Sequence, residues 1–397
     1  MKLSRRDFLK LGGATLIVVA GGSVFRAVDQ GVFSVGQGIA YGPWTNWRDA
    51  KNPIERIVAA SILASNPHNS QPWLFRITDS TIDLFAVPER QIGVIDPFRR
   101  EMYIGLGCAI ENMRLAAKAE GFKADIRLMP DLGTELHAAS ISLAESAAAT
   151  SPSTHPLVAG QALYEAIPHR HTDRAAYDTT RSVDQAAFSG IESLVTESTV
   201  RLIWMRGSSS HKKFGEVAIT AAEALINDEQ QSMDSHKWWR QDWDDVQSHA
   251  DGITLDAQGM PPVILNAAKI LPDMSRPSND QAFVKNVRET VIPTAAVFGI
   301  LAVPNGLDFS NRLQCGQIWQ RIHLWATTQN LAMQPLNQMT ERADREAQLG
   351  IEPVFGKAIA ELIGDENWTG IMPFRMGYPT EAGLPSPRRG LDKVMEK

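Results

Sequence analysis

Gly107-Cys108-Ala109-Ile110-Glu111-Asn112-Met113-Arg114-Leu115-Ala116-Ala117 can be laid on Gly316-Gln317-Ile318-Trp319-Gln320-Arg321-Ile322-His323-Leu324-Trp325-Ala326. Glycine, leucine and alanine coincide at the same offsets. Three identities in eleven positions can arise by chance between two amphipathic helices. The surroundings also agree, however. Phe122 and Leu331 fall together at the helix ends, and a strand expected from Ala124 falls near Met333-Gln334-Pro335. A repeated strand–helix–strand order makes duplication the better reading. The expected fold class is therefore α+β, with two similar sheet-and-helix halves fused in one chain as a pseudo-dimer.

Working outward, Pro53 opens a helix, and an alternating pattern over residues 74–78 and 81–87 reads as a hairpin. A helix is expected over 100–120, stopped by Gly121, with strands over 124–129 and 136–143. The Ser/Thr/Pro-rich run 148–155 marks a boundary between a first half, 41–150, and a second half, 151–397. In the second half, helices are expected over 159–166, 184–195, 209–226, 313–329 and 352–362. Strands are expected over 199–205, 293–303 and 371–376. Residues 227–290 differ in character, with Asp/Glu clusters, Trp238, Trp239 and Trp243, and a Pro261-Pro262 break. They read as a lid-like insertion.

A net charge of −6 and a pI of about 5.9 exclude a nucleic-acid surface. The chain starts Met1-Lys2-Leu3-Ser4-Arg5-Arg6-Asp7-Phe8-Leu9-Lys10, followed by an apolar run to Phe25. Ser-Arg-Arg-x-Phe-Leu-Lys matches the twin-arginine export signal. The run holds four glycines and is shorter than the roughly 18 residues of a membrane span. Cleavage is expected near Gly38-Ile39-Ala40, making 1–40 a signal peptide; left uncut, it would tether the protein. The expected address is the periplasm or another extracytoplasmic space, with the twin-arginine translocase as a transient partner. That route carries folded proteins, which raises the expectation of a bound cofactor. Cys108 and Cys315 read as buried free thiols, and no Cys/His spacing suits a metal.

Two stretches carry chemistry. Asn66-Pro67-His68-Asn69-Ser70-Gln71-Pro72-Trp73 is a rigid loop between a helix and a strand, rich in amide and hydroxyl groups. Trp73 can cover an aromatic ligand or fill the core. Arg170-x-Thr172-x-Arg174 puts two guanidinium groups and a hydroxyl on one side of an extended segment, an arrangement that suits a phosphate. The tail adds Arg388 and Arg389. His169 and His171, beside arginines, make a poor cation site. No Ser/His/Asp set or carboxylate pair is legible, so no side chain is assigned as a catalyst.

On these residues the chain resembles the nitroreductase-like flavoprotein superfamily. Its members bind FMN between two α+β subunits, with an R-x-S-x-(R/K) segment and C-terminal basic residues at the phosphate and ribityl chain. An A-P-S-x-x-N-x-Q-P-W loop of the other subunit faces the isoalloxazine. The resemblance implies FMN as the cofactor, held by Arg170, Thr172, Arg174, Arg388 and Arg389 on one side. Pro67, His68, Asn69, Gln71 and Trp73 would hold it on the other. Asn66-Pro67-His68 replaces Ala-Pro-Ser, so His68 stands where the family places a hydroxyl. Each half lacks what the other has, which implies one complete site per chain and places the chain with the fused branch of the superfamily. The implied activity is transfer of electrons or hydride through flavin to a small acceptor, with NAD(P)H as a possible donor. The alternative is a flavin-binding or flavin-sequestering protein without enzymatic activity. The expected assembly is a monomeric pseudo-dimer.

Overall fold

The computed structural model describes residues 25–131, 133–146 and 160–396; in the first half a short helical turn over Gly42–Asn46 precedes helix α1 (Pro53–Ser61). Asn52 caps it by accepting from the Ile54 N–H at 2.9 Å, and Pro53 takes the first position, where no N–H is needed. Strands β1 (Trp73–Ile77) and β2 (Thr81–Ala86) form the hairpin, in register from Trp73↔Ala86 to Ile77↔Ile82. Helix α2 (Arg100–Ala119) follows. The Asp96 carboxylate caps it, accepting from the N–H groups of Glu101 and Met102. Strands β3 (Phe122–Leu128) and β4 (His137–Glu145) complete a sheet of order β1-β2-β4-β3.

The second half repeats this plan with additions. After α3 (Gly160–Ala166) and α4 (Gln185–Glu192) comes β5 (Arg201–Met205). Five helices then intervene: α5 (Ser208–Asn227), α6 (Glu229–His236), α7 (Trp243–His249), α8 (Pro262–Ile270) and α9 (Arg276–Asn286). The sheet resumes with β6 (Val297–Val303) and helix α10 (Phe309–Thr328). After these come β7 (Ala332–Pro335), α11 (Gln338–Leu349), α12 (Val354–Ile363) and β8 (Thr369–Gly377). Its order, β5-β6-β8-β7, is that of the first sheet, and all neighbours in both sheets run antiparallel.

The halves meet where α2 and α10 cross. Both helices are 20 residues long, and Gly107 and Gly316 are each the eighth residue. A Cβ added at Gly107 would lie 2.1 Å from the Leu313 carbonyl oxygen, and one at Gly316 would lie 2.0 Å from that of Ile104. The contact is reciprocal, because the repeat lays Ile104 on Leu313. Only glycine permits this backbone approach. Reciprocity extends along the crossing. The repeat lays Glu111 on Gln320 and Asn112 on Arg321, and the observed pairs cross over. Arg321 Nε donates to Glu111 at 2.8 Å and Gln320 Nε2 donates to Asn112 Oδ1 at 2.9 Å. A two-fold-related interface pairs i with j and j with i. The α+β, two-half reading therefore has its counterpart in both topology and contacts. Cys108 and Cys315 lie in these helices as buried free thiols.

Several expectations change. The run from residue 293 becomes strand only at Val297, because residues 287–291 form a π-helical turn and Ala295 and Ala296 lead into the sheet. Helix α11 has no counterpart in the sequence reading. Its inward face is built of Gln338, Glu341, Arg342 and Arg345, which are buried through polar pairings such as Arg345 Nε to Asp228 at 2.9 Å. A periodicity reading looks for apolar residues and passes over such a helix. Residues 25–40 fall within the expected signal peptide, yet they dock on the body. Ala27, Gln30 and Ala40 are buried, and the Ala40 carbonyl accepts from the Arg388 N–H at 2.7 Å. Residues 1–24, with the twin-arginine motif, and the boundary run 148–155 lie outside the described residues.

Candidate functional site

The loop after α1 is held in a costly backbone conformation. His68, Asn69 and Gln71 all have positive φ, at 48°, 53° and 52°, with no glycine among them. Left-handed backbone at a non-glycine residue costs of order 1–3 kcal/mol and persists only where surroundings enforce it. The enforcement comes from both ends of the chain. Asn66 Oδ1 accepts from the Gln71 N–H at 2.8 Å. Asn69 Nδ2 donates to the Pro387 carbonyl at 2.8 Å, and Arg388 Nη1 donates to Asn69 Oδ1 at 2.5 Å. Gln71 Oε1 accepts from the Arg389 N–H at 2.9 Å, and its Nε2 donates to the Ala250 carbonyl at 2.8 Å.

These contacts divide the sequence-assigned residues. Asn69 and Gln71 are buried and spend their amides on the tail and on residue 250, so they brace the loop and do not face a ligand space. Trp73 is fully buried in the shared core, which corrects the reading of its ring as a ligand cover. Arg389 contributes its backbone N–H, and its guanidinium turns to the Lys393 carbonyl. Pro67 and His68, by contrast, line a cavity of about 660 Å³, and so do Thr172 and Arg174. The strained loop and the extended segment after α3 therefore both contribute to the wall of this cavity.

Arg170 and Arg388 are not among the residues that line the cavity, and they are close enough for the charge of Arg170 to act on Arg388. Arg170 is 2% exposed and donates once, to the Leu63 carbonyl at 3.1 Å; its Nε and Nη1 have no partner. Arg388 is also buried, and its Nε has no partner. Burial lowers the pKa of Arg170 to about 10. Burial and then the charge of Arg170 push Arg388 well below its ordinary value. His171 is pushed down to about 3 by burial and by both arginines, and His323 is lowered by burial and Arg170. The Cys108 thiol, which lines the cavity, is close enough to feel the charge of Arg170. Two buried guanidinium groups with spare donors and no carboxylate partner are a strongly unfavourable arrangement unless an anion joins them. The donor set suits a phosphate group.

The second-half insertion forms the roof. Ser235, Trp239, Ile264 and Phe283 line the cavity, and His68 Nε2 lies 3.1 Å from Ser235 Oγ, joining the loop to α6. Arg174 Nη1 donates to the Ala257 carbonyl at 3.0 Å in the same insertion. His68 is held neutral, its pKa lowered to about 4 by burial and the nearby Arg174 charge.

At another part of the wall stand two carboxyl groups that sequence reasoning missed. Glu101 on α2 and Glu341 on α11 both line the cavity, are 4% and 6% exposed, and share a hydrogen bond. Carboxyl groups bond to each other only when one carries a proton, and burial with the Glu101 charge holds Glu341 well above the usual range. Arg100, paired with Asp344 at 2.8 Å, is the neighbouring cation. Glu101 reads in sequence as an ordinary first-turn acid, and Glu341 sits 240 positions away, so nothing along the chain signals the pair. Among the described residues, no group of three or more His, Cys, Asp or Glu is placed to hold a metal ion.

No protein-family profile matches the chain. Individual proteins do. A Mycobacterium tuberculosis protein provisionally named NAD(P)H nitroreductase Rv3131 is 24% identical over 361 residues, covering 89% of this chain and 93% of its own. A second protein of that organism, provisionally named NAD(P)H nitroreductase acg, is 32% identical over 149 residues, 38% of this chain and 43% of its own. Among solved structures, the FMN-dependent nitroreductase NfnB of Mycobacterium smegmatis, in complex with NADPH, is 16% identical. It covers 60% of this chain and 98% of its own at a TM-score of 0.38. Over nearly nine-tenths of its length, then, this chain is similar to proteins that carry nitroreductase names.

Proposed function

We propose that the protein is an FMN-binding oxidoreductase of the nitroreductase type, holding one flavin per chain in the cavity between the halves. The observation that carries this reading is the pair of buried, incompletely bonded guanidinium groups, Arg170 and Arg388, the first of them near Cys108 in the wall of a cavity of about 660 Å³. Such a volume falls within the range of small-molecule and cofactor sites. The names of the similar proteins, and the resemblance of Arg170, Thr172 and Arg174 to a flavin-phosphate segment, support it.

In this reading Arg170 and Arg388 neutralise the phosphate, and Thr172 and Arg174 line the path from it. Pro67 and His68 present a rigid edge to the ring, and the strained backbone keeps that edge in place. Trp239 and Phe283 exclude water from above. When bound, FMN supplies the transfer of hydride or electrons between NAD(P)H and a small acceptor. Glu341, whose carboxyl burial and the Glu101 charge hold well above the usual range, stands at the wall of the same space.

The same insertion also supports a second reading, a protein that stores flavin, because its residues Ser235, Trp239, Ile264 and Phe283 line the cavity and Ser235 lies 3.1 Å from His68 in the loop. The twin-arginine motif supports export to an extracytoplasmic space in either case. Flavin released from the purified protein, quantified against protein, is expected near one FMN per chain. A ratio near two, or no uptake on saturation, refutes the site. Anaerobic stopped-flow with NADPH then separates the readings. Rapid bleaching of bound flavin supports the enzyme, whereas slow reduction by NADPH and by dithionite alike supports storage.

A further inference from the structure

Helix α8 turns the unexpected face to solvent. A surface helix ordinarily buries its apolar stripe and exposes its charges. From Gln258 to Pro272 the only charged residue is Lys269. Lys269 points inward, 6% exposed, paired with Asp256 at 2.7 Å and donating to the Gly31 carbonyl at 3.2 Å. What faces outward is Val263 at 79%, Ile264 at 56% and Leu271 at 60% exposure. Positions 263, 267 and 271 recur at helical spacing, so they share one side.

A second segment joins this face. Arg26 Nε donates to the Ile270 carbonyl at 2.6 Å and its Nη2 to that of Leu271 at 3.2 Å, fixing residues 25–33 against the end of α8. Phe25, Val28 and Phe33 on that segment are likewise strongly exposed. Single exposed apolar residues are ordinary, but a grouped set marks a contact surface. Ile264 and Met274 also line the cavity, so its mouth opens beside this face.

The sequence leading into the face indicates the partner. Residues 11–24 carry no charge and are mainly apolar, and Arg5, Arg6 and Lys10 precede them. A basic stretch followed by an apolar one suits anionic headgroups and the acyl region beneath them. No described helix is long and apolar enough to cross a membrane, so the described body would meet a bilayer from one side. We propose that the outward face of α8, with Phe25, Val28 and Phe33, docks on a lipid bilayer and turns the cavity mouth toward lipid. This docking does not depend on which ligand the cavity holds.

The test is amide hydrogen exchange of the full chain with and without vesicles of phosphatidylcholine and anionic phosphatidylglycerol, followed on peptides covering residues 260–274. Docking is expected to slow exchange there several-fold, in the presence of vesicles only. Val263→Glu combined with Leu271→Glu should abolish that protection while the thermal melt is unchanged, since both side chains are exposed. Protein that floats with vesicles without protection of 260–274 would overturn the proposal, because the basic and apolar N-terminal run alone would then be binding. Protection without vesicles would also overturn it. If that protection grew with protein concentration, a second copy would cover the face; if it did not, the chain's own N-terminal run would.

Discussion

Replacing Arg170 by methionine should move stability and cofactor affinity in opposite directions. In the protein without ligand, Arg170 Nε and Nη1 are buried without partners, and each such donor costs about 1–3 kcal/mol. The like charge of Arg388 adds to the strain. Against this stands one hydrogen bond, to the Leu63 carbonyl at 3.1 Å, worth about 1 kcal/mol net. A methionine fills a similar volume with no donor to satisfy. The balance is a gain of about 1–5 kcal/mol for the ligand-free Arg170→Met protein. Toward FMN the sign reverses. A charge-assisted hydrogen bond to phosphate is worth about 1.5–3 kcal/mol, so affinity should fall roughly 10- to 150-fold. Urea unfolding of both ligand-free proteins, with m-values compared, reads the first effect; fluorescence titration with FMN reads the second. A variant that loses 2 kcal/mol or more, with unchanged FMN affinity, would refute the reasoning and make Arg170 a structural residue.

Two further outcomes follow from the crossing and from the acidic wall. Gly316→Ala should destabilise the chain by about 3 kcal/mol or more, because its Cβ would lie 2.0 Å from the Ile104 carbonyl oxygen and the helices must part, read by chemical denaturation. Glu341 holds a proton in the folded protein that it releases near pH 4.5 when unfolded, so its contribution to stability is full below that pH and declines as pH rises. Glu341→Gln removes the decline: its stability relative to the parent should rise steadily from pH 5 to pH 8, and a pH-independent difference would show the carboxyl to be ordinarily ionised.

What the sequence determined by itself was the plan. Gly107 and Gly316 head matching stretches, and glycine recurs where two backbones touch, so a local pattern carried long-range information. The hairpin from Trp73 to Ala86 and the end of α2 before Gly121 were legible because turn and helix-stop chemistry acts within a few residues. The side-chain roles were not legible in the same way. Asn69 and Gln71 look like ligand groups until residues 387–389, more than 300 positions on, take up their hydrogen bonds. Trp73 alternates correctly in its strand, but only the packed core decides that its ring is inside. The acidic pair of Glu101 and Glu341, the neutral His68 and the spare donors of Arg170 exist because tertiary contact removes water and sets charges together. Solvation and Coulomb terms depend on distance in space, which the order of residues along the chain does not record.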